Sequence, residues 1–167
     1  MDKKYKKLVV AFSGPSNIGK TTLIVNIANI LQDTGYKVGI VKHDPKDKAV
    51  FDKPGKDSNK FTQTGADVAV VSSTRTTLFK RHKSNIDEII ELFAEFDYLL
   101  IEGLKTLPLP RISIFRYRLD ESYFSFADAI AYDDTIDEKE IPLDIDKLDL
   151  NNPEEIIKWI EKNAKRV

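Results

Sequence analysis

A chain of 167 residues is long enough to bury roughly two-thirds of its unfolded surface around one core. Hydrophobic residues make up 41% of it and aromatics 10%, which excludes a disordered or fibrous protein. The absence of cysteine excludes disulfides, thiolate metal sites, iron–sulfur clusters and a thiol nucleophile. A net charge of −1 speaks against nucleic acid as a partner. Met1 to Lys7 is basic but no signal-type apolar stretch follows it, and no run approaches the roughly 18 apolar residues of a membrane span, so a cytoplasmic protein without a membrane partner is expected.

Leu8 to Phe12 is a continuous apolar run with β-branched valines, which predicts a strand buried in a parallel sheet. From Thr21 to Leu31, apolar Leu23, Ile24, Ile27, Ile30 and Leu31 recur at helical spacing, and Gly35 supplies the stop. Val38 to Val41 predicts a second strand and Asp67 to Val71 a third. Between them lie a polar stretch from Asp44 to Gly55 and a short helix from Ser58 to Thr64, capped by Asp57 or Ser58 and closed by Gly65. Thr76 to Lys80 is expected to pair with the third strand through a turn near Thr74. The basic cluster Arg75, Lys80, Arg81, His82 and Lys83 reads either as solvated edge residues or as a contact for anions.

Ile86 to Phe93 reads as an amphipathic helix with Ile86, Ile89, Ile90 and Phe93 inward, and Tyr98 to Ile101 as a central strand. Arg111 to Arg116 and Ala129 to Tyr132 are further strands. From Asp120 to Glu155 thirteen acidic residues face only Lys139 and Lys147, which makes this segment an acidic solvated surface or a docking face for a basic partner. The last helix opens at Asn152-Pro153-Glu154-Glu155 and ends in Lys162, Lys165 and Arg166, in accord with the helix macrodipole, and Trp159 anchors it. Strands alternating with helices predict an α/β fold, a mostly parallel sheet flanked by helices with an antiparallel edge or hairpin extension.

Gly14-Pro15-Ser16-Asn17-Ile18-Gly19-Lys20-Thr21 fits G-x-x-x-x-G-K-[ST] directly between the first predicted strand and the first predicted helix, the context of a phosphate-binding P-loop. Gly14 and Gly19 permit backbone conformations in which successive N–H groups wrap a phosphate at a helix N-terminus. Lys20 should reach the β and γ phosphates, Thr21 should hold Mg²⁺ through its hydroxyl, and Thr22 with the amides of Asn17 and Ile18 should complete the cradle. The whole chain, 1–167, is then expected to be a single P-loop nucleotide-binding domain. A carboxylate near the metal should stand at the carboxyl end of a neighbouring strand. Glu102 and Asp44 both qualify, although Asp before Pro45 is also a common turn starter. Lys105, with Lys56 and Asp57, lies in loops expected on the same face, where each contacts an anionic ligand or merely solvates its loop. His43 and His82 carry no metal in this reading.

In combination, Val41-Lys42-His43-Asp44, the turn Gly55-Lys56-Asp57-Ser58 with Gly65-Ala66, and Ile101-Glu102-Gly103-Leu104-Lys105 leading through Pro110 to Arg111-Ile112-Ser113-Ile114, all after the P-loop, resemble the MobB family. These are GTP-binding accessory proteins of molybdopterin guanine dinucleotide biosynthesis. The resemblance implies a P-loop α/β fold, a homodimer, GTP with Mg²⁺, and cooperation with a MobA-type guanylyltransferase that joins GMP to molybdopterin. By resemblance the loop from Gly14 to Thr22, Ser16 included, is the phosphate site and Glu102 the carboxylate near the metal. Many members are histidine-rich after the Lys-His-Asp segment, where this chain has Pro45-Lys46-Asp47. No N-K-x-D guanine reader occurs, so guanine preference is carried by the resemblance alone.

The expected activity is binding and delivery, with slow GTP hydrolysis at most, because no arginine finger or water-positioning glutamine stands in the motif regions. Arg111 or Arg116 of a partner subunit is the one source of such a finger. The alternative is a P-loop small-molecule kinase or ATP-dependent ligase, with Lys20 and Glu102 in the catalytic roles, Glu102 or Asp44 as base, and Lys42 or Lys105 holding an acidic substrate.

Overall fold

The structure, a computed structural model, describes residues 5–167, so the first four residues of the basic N-terminal segment lie outside the described part. The chain forms two compact units, one of residues 44–92 and one comprising the rest. The larger unit holds a seven-stranded sheet. Its strands are β1 (Leu8–Ser13), β2 (Val38–Lys42), β5 (Tyr98–Glu102), β6 (Arg111–Phe115), β7 (Ala129–Tyr132), β8 (Asp146–Asp149) and β9 (Lys165–Arg166). The order β2-β5-β1-β6-β7-β8 is parallel throughout, and β9 adds an antiparallel pairing to the first residues of β1. This is the α/β architecture expected from the alternation of apolar runs.

β1 is buried at every position because it is covered on both faces and paired on both edges. Leu8, Val10 and Phe12 face α1 (Lys20–Asp33) and α4 (Pro153–Asn163), with Ile27, Ile156 and Ile160 fully buried between. Burying each such side chain contributes about 1.5–3 kcal/mol. Towards the far edge of the sheet, Phe115 and Ile130 are covered by Tyr123, Ile136, Ile141 and Ile145 from irregular chain. The acidic segment thus has an apolar underside, and its many carboxylates follow from the face it turns to water.

Several ends differ from expectation. Lys165 and Arg166 do not prolong the last helix; they form β9, paired with Val9 and Leu8. β8 was not anticipated, since only Leu148 of its four residues is buried. Asn152 caps α4 as expected, its Oδ1 accepting from the Glu155 N–H at 3.2 Å, and Trp159 is buried with Nε1 donating to Asp146 at 2.7 Å.

The smaller unit contains α2 (Asp57–Gln63), the hairpin of β3 (Val68–Val71) and β4 (Thr76–Phe79), and most of α3 (Ile86–Phe93). β3 and β4 pair only with each other, antiparallel, in a separate sheet. The N-cap of α2 is Lys56 with no side-chain cap bond, not Asp57 or Ser58; Ser58 instead donates to Asp52 at 2.8 Å. The inward face expected of α3 is only half-buried.

At the amino ends of the strands, the buried Asp97 accepts from the backbone N–H groups of Lys6 at 3.0 Å and Lys37 at 2.8 Å, tying the entries to β1, β2 and β5. Beside it Glu161 of α4 accepts from Lys6 Nζ at 2.7 Å and Tyr98 Oη at 2.8 Å. Burial, with the Glu161 carboxylate, pushes the Tyr98 hydroxyl up to about 12, while the Lys6 ammonium, then Tyr98, hold Glu161 below the ordinary carboxylate range. A folded value below the unfolded one stabilises the protein above the unfolded pKa and is lost as pH falls through the folded one. Glu161→Gln should therefore lower the urea midpoint by a constant amount above about pH 5, and the difference from wild type should shrink in acid.

Candidate nucleotide-binding site

The carboxyl end of β1 turns into a loop whose backbone alternates handedness. Gly14 has φ +135°, Asn17 +63° and Gly19 +94°, left-handed conformations of the kind from which anion-binding loops are built, before α1 begins. At Gly14 a Cβ would collide with the carbonyl oxygen of Ile114 and stand 2.8 Å from Ile18 Cδ1. Only glycine lets β1 and β6 run this close at the loop. Just beneath, the buried hydroxyls of Ser13 and Ser113 are hydrogen-bonded at 2.8 Å. Ile18 is buried, and Ser16, Asn17, Thr21 and Thr22 are exposed.

A groove is lined by Ser16, Asn17, Gly19, Lys20, Thr21, Thr22, Lys42 and Glu102. The parallel register explains the membership: Glu102, the last residue of β5, lies opposite both Phe12 and Lys42, the latter the last residue of β2. Lys20 Nζ donates to the Pro15 carbonyl within the loop, and Lys42 Nζ lies 3.2 Å from Glu102 Oε2. Burial pulls the Lys20 ammonium below its ordinary value; Glu102 pushes it back, and Lys42 and Lys105 lower it further. Lys105, expected on the same face, does not line this groove; its ammonium lies 3.7 Å from the centroid of the Tyr123 ring in a cation–π contact. Two lysines and one carboxylate are thus brought together where the sequence placed a phosphate site.

Asp44 begins the smaller unit, and its carboxylate accepts from the backbone amides of Lys48 and Ala49, each at 2.7 Å. This is the turn-starting role that an Asp-Pro pair also suggests. His43 packs over Gly103, where a Cβ would come within 2.9 Å of the His43 Cβ.

Arg111 is not a group that can reach another subunit's phosphates. It is 1% exposed, and its guanidinium donates to the carbonyls of Gly103 and Leu104 at 2.9 Å and Leu107 at 3.3 Å. Gly103 and Leu104 both have positive φ, so the chain leaves Glu102 in a conformation that needs this support. Burial lowers the guanidinium below its usual value and Asp128 raises it again. Arg111 is a positioning residue for the loop behind Glu102.

One residue with an unusual backbone near the loop carried no signal in the sequence. Tyr117, just past β6, has φ +66° and is 77% exposed. An isolated tyrosine without a motif around it is indistinguishable from a surface residue until its backbone is seen.

Two predictions follow from this geometry. Gly14→Ala meets both a forbidden φ and occupied space, whereas Gly35→Ala, φ +86° with nothing within 4 Å, meets only the first. Urea unfolding should show a loss of about 1–2 kcal/mol for Gly35→Ala and a larger one for Gly14→Ala. The Lys20 titration, followed by the 13Cε shift, should have its midpoint below the roughly 10.4 of free lysine. Lys42→Gln should raise that midpoint and Glu102→Gln should lower it further.

Comparison with known proteins places this site in a family. Residues 9–132 match the MobB family model, described as molybdopterin guanine dinucleotide synthesis protein B. The chain is 29% identical over 172 residues to the molybdopterin-guanine dinucleotide biosynthesis adapter protein of Escherichia coli (strain K12), covering 92% of this chain and 94% of that one. It is 33% identical over 120 residues, 67% of each chain, to the probable adapter protein of the same biosynthesis from Bacillus subtilis (strain 168). The solved structure of Bacillus subtilis MobB superposes with a TM-score of 0.70 at 25% identity, over 94% of this chain and 97% of the other. The chain, with its phosphate-loop geometry and its fold, belongs to the MobB family.

Proposed function

We propose that the chain binds GTP with Mg²⁺ on the loop from Gly14 to Thr22 and serves as an adapter in molybdopterin guanine dinucleotide biosynthesis, assisting a MobA-type guanylyltransferase that joins GMP to molybdopterin. The observation that carries the nucleotide part is the run of left-handed residues Gly14, Asn17 and Gly19 in the loop before α1, set against a groove lined by Lys20, Lys42 and Glu102. The biosynthetic role rests on family membership and on the names of the relatives.

In this reading the amides of Asn17 and Ile18 and the Lys20 ammonium receive the β and γ phosphates, and Lys42 adds a second positive charge. The residues present fit Mg²⁺: an oxygen-preferring ion finds the Thr21 hydroxyl and the Glu102 carboxylate in the same groove. When bound, Mg²⁺ neutralises charge on the phosphate oxygens. Turnover is slow, because Arg111 is held inside by loop carbonyls and Arg116 is paired with Asp133 at 3.1 Å. A homodimer is part of the proposal. Phe51, Val50 and Val71 in the smaller unit are 83%, 81% and 72% exposed, apolar surface of the kind that association covers.

Thermal-shift measurements with GTP and ATP, each with and without Mg²⁺, test the reading. At 100 times the dissociation constant a ligand adds about 2.7 kcal/mol, and Mg·GTP is expected to give the largest shift. Lys20→Ala should remove the shift while leaving the nucleotide-free melting temperature close to wild type. A larger response to ATP, with ADP release stimulated by a small acidic substrate, would favour the kinase or ligase alternative; GTP hydrolysis at tens per second by the isolated protein would overturn the adapter reading.

A further inference from the structure

Beyond Gly19 a second groove of about 460 Å³ opens, and it shares Asn17, Gly19 and Thr22 with the phosphate groove. Its character is different. Where the phosphate groove holds Lys20, Lys42 and Glu102, this one is lined by Ile18, Leu23, Leu150 and Pro153 together with Asn26 of α1 and Asn151 before α4. The side-chain amides of Asn26 and Asn151 have no hydrogen-bond partner among the described residues. A nucleotide is built with the same division, a charged tail joined to a flat base with polar edges, and the two grooves meet along Asn17, Gly19 and Thr22.

The rim is formed by Arg116 and Tyr117, just past the carboxyl end of β6. Tyr117 is held in the left-handed region, φ +66°, which costs a non-glycine residue about 1–2 kcal/mol. The surroundings enforce it. The buried Asp133, following β7, binds Arg116 Nη1 at 3.1 Å and accepts from Thr135 Oγ1 at 2.5 Å. Thr135 Oγ1 accepts the Tyr117 N–H at 2.7 Å, and the Arg118 N–H closes the turn onto the Arg116 carbonyl at 2.8 Å. This network fixes a strained backbone whose outcome is a ring left 77% exposed at the mouth of the groove. Burial of an apolar side chain does not account for such an arrangement, and strain of this kind is retained at ligand sites. At the junction, Arg116 Nε is buried without a hydrogen-bond partner among the described residues, 3.8 Å from where a Cβ on Gly19 would stand.

We propose that this groove is the nucleoside pocket of the phosphate site, with the Tyr117 ring as the platform on which the purine stacks. The inference rests on the loop being a nucleotide site, and its test separates the two. Isothermal titration of the full chain, with Mg²⁺, uses GTP and inorganic tripolyphosphate as probes. Tyr117→Ala should weaken GTP about tenfold or more, the range in which aromatic stacking platforms contribute, and leave tripolyphosphate affinity within twofold. Tyr117→Phe should keep GTP affinity, since the ring and not the hydroxyl does the stacking. Tyr117→Asn, a side chain that tolerates positive φ, should behave like alanine and so exclude backbone relaxation as the cause. Unchanged GTP affinity in Tyr117→Ala, or equal weakening of both probes, would overturn the pocket while leaving the phosphate loop intact. Wild-type protein that binds neither probe would overturn the phosphate reading itself.

Discussion

The contact on which the site depends is the one between Gly14 and the backbone of β6. β1 is central in a parallel sheet, with β5 paired along its whole length and β6 joining only its last residues. At that point the Gly14 α-carbon lies against the Ile114 carbonyl with no room for a methyl group. The clearance fixes where the chain leaves the sheet, and the positive φ values at Gly14, Asn17 and Gly19 fix how the following amides turn. Neither feature alone would make the proposed phosphate site. Without the close approach the loop would be free to flatten; without the left-handed residues the amides would not converge.

A second constraint acts from the other side of β1. Parallel register delivers Glu102 and Lys42 to the groove from adjacent strands, but the chain after Glu102 must turn through two positive-φ residues. Arg111 satisfies their carbonyls from inside, as a buried cation shared among backbone acceptors. Its desolvation is offset by charge-assisted hydrogen bonds and by Asp128. The sequence offers Arg111, at the start of the strand next to β1, only as a finger reaching a partner subunit, because a charged side chain is expected to be exposed. Burial inverts that assignment: the charge is spent on architecture.

What could be read beforehand divides along the same line. β1, α1, β5 and α4 were legible because their signals are local: continuous apolar runs, helical spacing, and an Asn-Pro start whose cap bond forms as written. The phosphate loop was legible because its glycines and lysine must occupy fixed offsets. β8 was not, since Asp146-Lys147-Leu148-Asp149 places a single apolar residue inward at the edge of the sheet and has no period to detect. β9 was not, because Lys165 and Arg166 become a strand only through the backbone of Val9 and Leu8, distant in sequence. The separate hairpin of β3 and β4 was legible as a pair, but nothing in its residues tells whether it joins the main sheet. Tyr117 was hidden for the deepest reason: its significance lies in a φ angle imposed by Asp133 and Thr135, which no spacing rule connects to it.

On the proposed reading, the composition of the two grooves also bears on why such a protein binds a nucleotide without consuming it quickly. Amides of the loop, Lys20 and Lys42 meet charges already present in the ground state of a triphosphate. Interactions of equal strength in ground and transition states tighten binding without raising turnover. Acceleration requires donors that engage only as charge shifts during phosphoryl transfer. The two arginines closest to the site in sequence and fold are committed elsewhere, Arg111 to loop carbonyls and Arg116 to the carboxylate that organises the Tyr117 turn. Each therefore strengthens the shape of the site at the expense of mobility at the phosphates. A pocket made rigid in this way is suited to holding a nucleotide until a second protein acts, and the same rigidity keeps its intrinsic hydrolysis low.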